Sequence, residues 1–260
     1  MSPLHLWVRI DMIIMKRYDH YRNIGSARML VGSQKLLFVL VDDDGATPWT
    51  HELRKPVEEK IDSSLRWLEK RANGFDKPLR IAHRCLPLSP NVASNAGCRI
   101  NENDYTAGPH HATWQNSIAS SLTTHGSLAE RWDELFELAD LPLKDDEGSA
   151  ILLCVRRHTC SVAFRYCNGQ NPEFEKERAI IYDMGGVGGQ AYLDSLIAHE
   201  ILHLYGAEDL APGKVHESLK IIAQKLTDDI MHTPTQKPIN EYDISEVTAY
   251  LVGWLEKKHL

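Results

Sequence analysis

Residues 199 to 209 read His-Glu-Ile-Leu-His-Leu-Tyr-Gly-Ala-Glu-Asp, an H-E-x-x-H-x-x-G-x-x-D pattern that restricts the fold more than any other stretch. Two histidines four apart project from one face of an α-helix, so a helix here brings both ring nitrogens to a single point. Gly206, three positions past His203, can take a left-handed backbone conformation without a steric penalty, which ends the helix and turns the chain back. Asp209, three residues further on, then returns to the histidines.

Two imidazoles and one carboxylate leave the fourth tetrahedral position open, which is what a catalytic zinc ion requires and a structural one does not. The expected site is one Zn²⁺ held by His199, His203 and Asp209. Glu208, His216 and Glu217 are close enough in sequence to compete with Asp209 for the third place. Glu200 is the expected catalytic group: it takes a proton from a water acidified by the metal as that water attacks a carbonyl carbon, then gives the proton to the leaving amine. A carboxylate in place of a third imidazole adds negative charge to the metal, which tilts the expected activity to neutral or mildly alkaline pH.

About twenty residues downstream, Asp228-Asp229-Ile230-Met231-His232-Thr233-Pro234 places a methionine just before a turn-forming proline. With this second element the chain resembles the metzincin zinc metallopeptidases, and through Asp209 the snapalysin-like members in which an aspartate is the third ligand. The resemblance implies that Met231 forms a Met-turn, a hydrophobic floor beneath the histidines, with Gly206 as its structural companion. It implies that the segment from Thr233 to Tyr242 walls the pocket for the residue following the scissile bond. Thr233 stands where some members carry a tyrosine, so no tyrosine ligand or oxyanion donor is implied there. The implied fold is an α+β catalytic domain with a twisted mixed sheet, a crossover helix, the zinc helix, the Met-turn and a C-terminal helix. The resemblance spans residues 35 to 260, and its specific part is 199 to 231.

The remaining sequence is consistent with that order of elements. Lys35 to Val41 is a continuous apolar run ending in Asp42-Asp43-Asp44-Gly45, a buried strand with a solvated end. From Thr50 to Asn73, Leu53, Val57, Ile61, Leu65 and Leu68 recur at helical spacing with Gly74 as a stop. Pro78 to Leu86 supplies a second strand, and strand-helix-strand predicts a right-handed crossover onto a partly parallel sheet. Leu128 to Leu141 reads as an amphipathic helix carrying Trp132, Leu135, Phe136 and Leu138, and three further strands are expected at 150–156, 161–166 and 178–182.

The zinc helix is expected over Ala191 to Tyr205. A closing helix is expected over Ile244 to Leu255, capped by Asp243 or Ser245, with Lys257 and Lys258 near its end. Gly185 to Gly189 lacks the ending of a phosphate loop and reads as a connector bordering the cleft, where an extended peptide could add as a strand.

Residues 1 to 34 read as an N-terminal extension to a single domain at 35–260. Residues 89 to 127, rich in Asn, Ser, Thr and Gly, read as a long insertion; its His110-His111 pair lacks nearby carboxylates and reads as exposed loop histidines. Cys98, in Ala96-Gly97-Cys98-Arg99, lies in this loop without the surroundings of a cysteine switch. Of 260 residues, 43% are hydrophobic, enough for a sizeable core. A net charge of -7 without a clustered Lys/Arg face argues against nucleic acid as a partner. Met12 to Met15 is the longest apolar run near the start, too short for a signal peptide or a membrane span, so a cytoplasmic location is expected. Cys85, Cys98, Cys154, Cys160 and Cys167 are an odd number without C-x-x-C spacing and read as reduced thiols.

The expected activity is peptide-bond hydrolysis on a peptide or protein substrate. Narrow specificity or control by a regulatory partner is expected of a peptidase kept inside the cell. Two rivals share the site: a zinc hydrolase of a non-peptide amide, and a catalytically silent, metal-stabilised binding protein, which would have no use for Glu200.

Overall fold

The computed structural model describes residues 27–41, 49–88, 118–120, 128–156, 160–164, 177–184, 189–211 and 224–256. Several expectations lie outside these residues: the acidic run at 42–44, Cys98, Cys167, His110 and His111, Gly185 to Gly188, His216, Glu217, and most of the insertion at 89–127.

Strand β1 (Gly32–Val41) feeds two cores at once. Leu36, Phe38 and Leu40 enter one, while Leu37, Val39 and Val41 enter the other. Strand β3 (Gly148–Val155) divides in the same way, with Leu152 and Cys154 on the first side and Ile151, Leu153 and Val155 on the second. A strand covered on both faces has no solvated side chains, which is why these segments read as unbroken apolar runs rather than alternating ones.

The helix α1 (His51–Gly74) joins β1 to a second strand, β2 (Leu79–Pro87), and the two strands pair in parallel. Strand β4 (Val162–Phe164) and strand β5 (Arg178–Tyr182) complete a five-stranded sheet in the order β2-β1-β3-β5-β4. All neighbours are parallel except β4, which runs antiparallel to β5 at the sheet edge. The chain is therefore a mixed α/β structure with a mostly parallel sheet, in line with the expected crossover.

The first core lies between the sheet and α1, the helix α3 (Leu193–Leu204) and the segment from Ile230 to Trp254. On the opposite face, α2 (Leu128–Leu138) places Trp132, Leu135 and Phe136 against the sheet, together with Ile118 and Ala119. The helix stops three residues before the expected end, where Asp140 takes a positive φ of 52° and Leu141 N–H returns to Phe136 O at 2.8 Å. Leu138 is 53% exposed, because it lies about 200° around the helix from Phe136.

Residues 27 to 34 pack against the same body. Ala27 and Leu30 are fully buried, Leu30 N–H donates to Val252 O at 2.9 Å, and Trp254 Nε1–H donates to Leu30 O at 2.6 Å. The closing helix α4 (Glu246–Leu251) is half its expected length. Ser245, not Asp243, is the cap, its Oγ accepting from Thr248 N–H at 3.3 Å. Gly253, with φ 91°, ends the helix as Trp254 N–H turns back to Ala249 O. Among the described residues no helix is long and apolar enough to cross a membrane.

Candidate metal centre

Helix α3 is buried along nearly its whole length and is fixed to α1 at its start. Asp194, in its first turn, accepts from Lys60 Nζ at 3.3 Å and from Ser63 Oγ at 3.2 Å, and Ser64 Oγ donates to Asp194 O at 2.8 Å. Four residues after Ser195 comes His199, and one turn later His203, on the same face.

The helix ends as the glycine pattern requires. Gly206 has φ 112°, Gly206 N–H donates to His203 O at 3.0 Å, and Ala207 N–H donates to Leu202 O at 3.0 Å. This paired closure reverses the chain within three residues. It also delivers two groups to the histidines: Ala207 O accepts from His203 Nδ1 at 2.8 Å, and Asp209 presents its carboxylate.

His199 Nε2 and His203 Nε2 are 3.0 Å apart, and Asp209 Oδ1 is 3.4 Å from each. Bonds of 2.0–2.1 Å to a tetrahedral zinc ion put ligand atoms about 3.3–3.4 Å apart, so this near-equilateral triangle has the size of one face of such a site. Tautomers agree with this. His199 Nδ1 donates to Ile230 O at 3.1 Å and His203 Nδ1 to Ala207 O; carbonyls only accept, so each Nδ1 carries the proton and each Nε2 turns a lone pair inward. Two lone pairs and a carboxylate oxygen packed at these distances repel one another unless a cation or a proton lies among them. His199, His203 and Asp209 are the one such ligand group among the described residues, and Glu208 is not part of it.

The electrostatics run the same way. Burial, then the neighbouring His203, brings His199 down to about 4, which keeps it in the neutral form that ligates. Burial also acts to lower His203, but hydrogen bonding to Asp209 and the Glu200 and Asp209 charges outweigh it and hold this imidazole above its ordinary value. Burial acts to raise Asp209, and the two imidazoles outweigh that and hold its carboxyl well below the usual range. The negative field that favours a proton on His203 favours a metal ion in the same place.

Met231 is fully buried in the first core. Its backbone does further work, since Met231 O accepts from Leu210 N–H at 2.9 Å and so ties the turn to the residue after Asp209. The turn itself is held by Asp229, a residue to which sequence reasoning gave no role. Asp229 Oδ1 accepts from Met231 N–H at 2.7 Å, while Oδ2 accepts from Ser245 N–H at 2.8 Å and Thr248 Oγ1 at 2.7 Å. Burial raises its carboxyl pKa against the pull of these donors. Asp228 beside it is exposed and pairs with Lys237 at 2.8 Å. Nothing in a sequence of two adjacent aspartates says which one goes inside.

A cleft of about 300 Å³ opens over the triangle. His199, Glu200 and Leu196 line it from α3, Asp209 and Ala211 from the returning chain, residues 232 to 236 from beyond the turn, and Cys160 and Ser161 from the approach to β4. Glu200 is 3% exposed. The wall beyond the turn is braced by Tyr242, whose hydroxyl donates to Thr233 O and accepts from Gln236 N–H at 3.1 Å. The three described cysteines are free: Cys160 is exposed at the cleft, Cys154 is buried, and burial with the Glu58 and Asp62 charges pushes the Cys85 thiol up to about 12.

Compared with known protein families and with curated proteins, the chain matches none of them.

Proposed function

We propose that the chain is a zinc-dependent metallopeptidase of the metzincin kind, hydrolysing peptide bonds in the cleft above His199, His203 and Asp209. The observation that carries this reading is the 3.0, 3.4 and 3.4 Å triangle of ligand atoms with Glu200 lining the same cleft. A structural metal site closes its coordination with protein groups and needs no cleft and no adjacent carboxylate. The strand-helix-strand opening, the methionine turn under the ligands and the helix that follows it accord with the resemblance read from 199 to 231.

A zinc ion bound here supplies a Lewis acid that acidifies water and polarises a carbonyl. Glu200 takes the proton of the attacking water and returns it to the amine that leaves. The backbone carbonyls of Ile230 and Ala207 keep both imidazoles in the ligating tautomer throughout. Among the described residues strand β4, beside Cys160 and Ser161, pairs on one side only, with β5, and its other side is where an extended peptide would add. Tyr242, through Thr233 and Gln236, fixes the wall that meets the substrate side chain.

The test is metal content together with cleavage of an unbiased peptide library, wild type against Glu200→Gln. One zinc per chain in both proteins and cleavage by the wild type alone is the expected result. Zinc in both with cleavage by neither transfers the assignment to a non-peptide amide hydrolase, and a chain that takes up no zinc overturns the reading.

A further inference from the structure

The wall beyond the methionine turn is joined to helix α3 one turn before the metal ligands. Ser195 lies four residues ahead of His199 and Leu196 three, so both share its side of the helix. Ser195 Oγ donates to Lys237 O at 3.3 Å, which ties helix and wall together at that level. Residues 233 to 236 line the cleft from the wall, and Leu196 and His199 line it from the helix, whereas Ser195 and Lys237 do not line it. Between His199 and the tie there is one helical turn, about 5.4 Å. The Tyr242 hydroxyl holds the wall at Thr233 O and at Gln236 N–H, so the slot between wall and helix is braced along its length.

This slot gives a charged side chain no partner. Among the described residues lining the cleft there is no Lys or Arg, and its carboxylates, Glu200 and Asp209, are the catalytic group and a metal ligand. Lys237 is engaged elsewhere, pairing with Asp228 at 2.8 Å with its Nζ 4.8 Å from the centre of the Tyr242 ring. A substrate carboxylate here would meet two negative groups, and an ammonium would lose its water without gaining a counter-ion. An apolar side chain incurs neither cost and gains contact with Leu196.

We propose that this slot receives the residue following the scissile bond and selects an uncharged aliphatic side chain of the size of valine or leucine. Leu196 and the tie from Ser195 to Lys237 set its depth. The assignment rests on the peptidase reading and names its substrate class. Aromatic rings and extended lysine or arginine side chains outreach a slot one helical turn deep.

The test digests a fully randomised peptide library with the zinc-loaded full chain and sequences the new amino termini, which carry the residue that followed the cut. Val, Ile and Leu are expected at least about tenfold above aromatic and charged residues, the low end of what one misfitting methylene is worth in an apolar pocket. Leu196→Ala lengthens the slot and is expected to admit Phe and Met, whereas Leu196→Phe shortens it and is expected to favour Ala. Affinity reads the same slot without turnover: a hydroxamate bearing an isobutyl group is expected to bind wild type at least about tenfold more tightly than one bearing a naphthylmethyl group. New termini in which aromatic or charged residues equal the aliphatic ones, or equal affinity for the two hydroxamates, overturn the slot assignment and leave the peptidase reading standing. An unchanged preference in both Leu196 variants, each with one zinc per chain, also overturns it. A zinc-loaded wild type that produces no new termini overturns both proposals.

Discussion

A single backbone angle decides whether Asp209 meets the histidines. At φ 112° Gly206 sits where residues with a Cβ are strained, and the reversal it permits sends Ala207 O to His203 and Asp209 to the triangle. Gly206→Ala is expected to cost about 1–3 kcal/mol of stability and to shift the returning chain. It should also lower metal affinity by tenfold or more, because a displaced supporting carbonyl costs about 10–100-fold on its own. Thermal unfolding and competition with a chromophoric chelator measure the two effects, and unchanged metal affinity would show that the reversal survives without glycine. This much was legible in the sequence, since spacing along one helix and one turn is a local property.

The methionine turn and the closing helix are separate elements joined through one buried carboxylate. Asp229 is 2% exposed and serves Met231 N–H in the turn, Ser245 N–H at the cap of α4 and Thr248 Oγ1 within it. Asp229→Ala leaves these three donors without their acceptor, at about 1–3 kcal/mol each. The expected outcome is a loss of at least about 3 kcal/mol and a fall in Tm on the order of 10 °C. Because Ile230 O orients His199, metal affinity should fall as well, whereas Asp228→Ala should leave both unchanged. Apolar periodicity found α1, which the structure places at 51–74, but overran α4, because an interior Gly253 stops that helix before its apolar stripe ends.

Over the whole molecule, the start of β1 is tied to the start of β3 by an ion pair between Lys35 Nζ and Glu147 Oε2 at 2.6 Å, each side chain 9% exposed. Lys35 also donates to Pro142 O, and Ser33 Oγ donates to Glu147 Oε1 at 2.9 Å. The bond to Lys35, aided by Ser33, holds the Glu147 carboxyl below its ordinary value of 4.5 against the effect of burial. A carboxyl lowered in the folded state stabilises the fold above pH 4.5, and that contribution disappears as pH falls through the folded value. Glu147→Gln should therefore unfold at lower temperature than wild type at pH 7, with the gap closing below pH 4.5. Parallel Tm profiles over the acid range would remove the ion pair from the account.

The sequence by itself determined most of the elements and a candidate group of ligands. Helical spacing, a glycine stop, unbroken apolar runs and alternation between strands and helices are written in neighbouring residues, and they yield His199, His203, Asp209 and the crossover from β1 to β2. The tertiary structure decided what depends on residues far apart in the chain. It selected Asp229 over Asp228 for burial, since only one of two identical neighbours can face both Ser245 and Thr248. It drew Leu30 into the domain, because Val252 and Trp254 offer it partners more than two hundred residues away. It also set Glu200 and His232 in one cleft: a helix and a turn thirty residues apart share a wall only after both have packed against the same core.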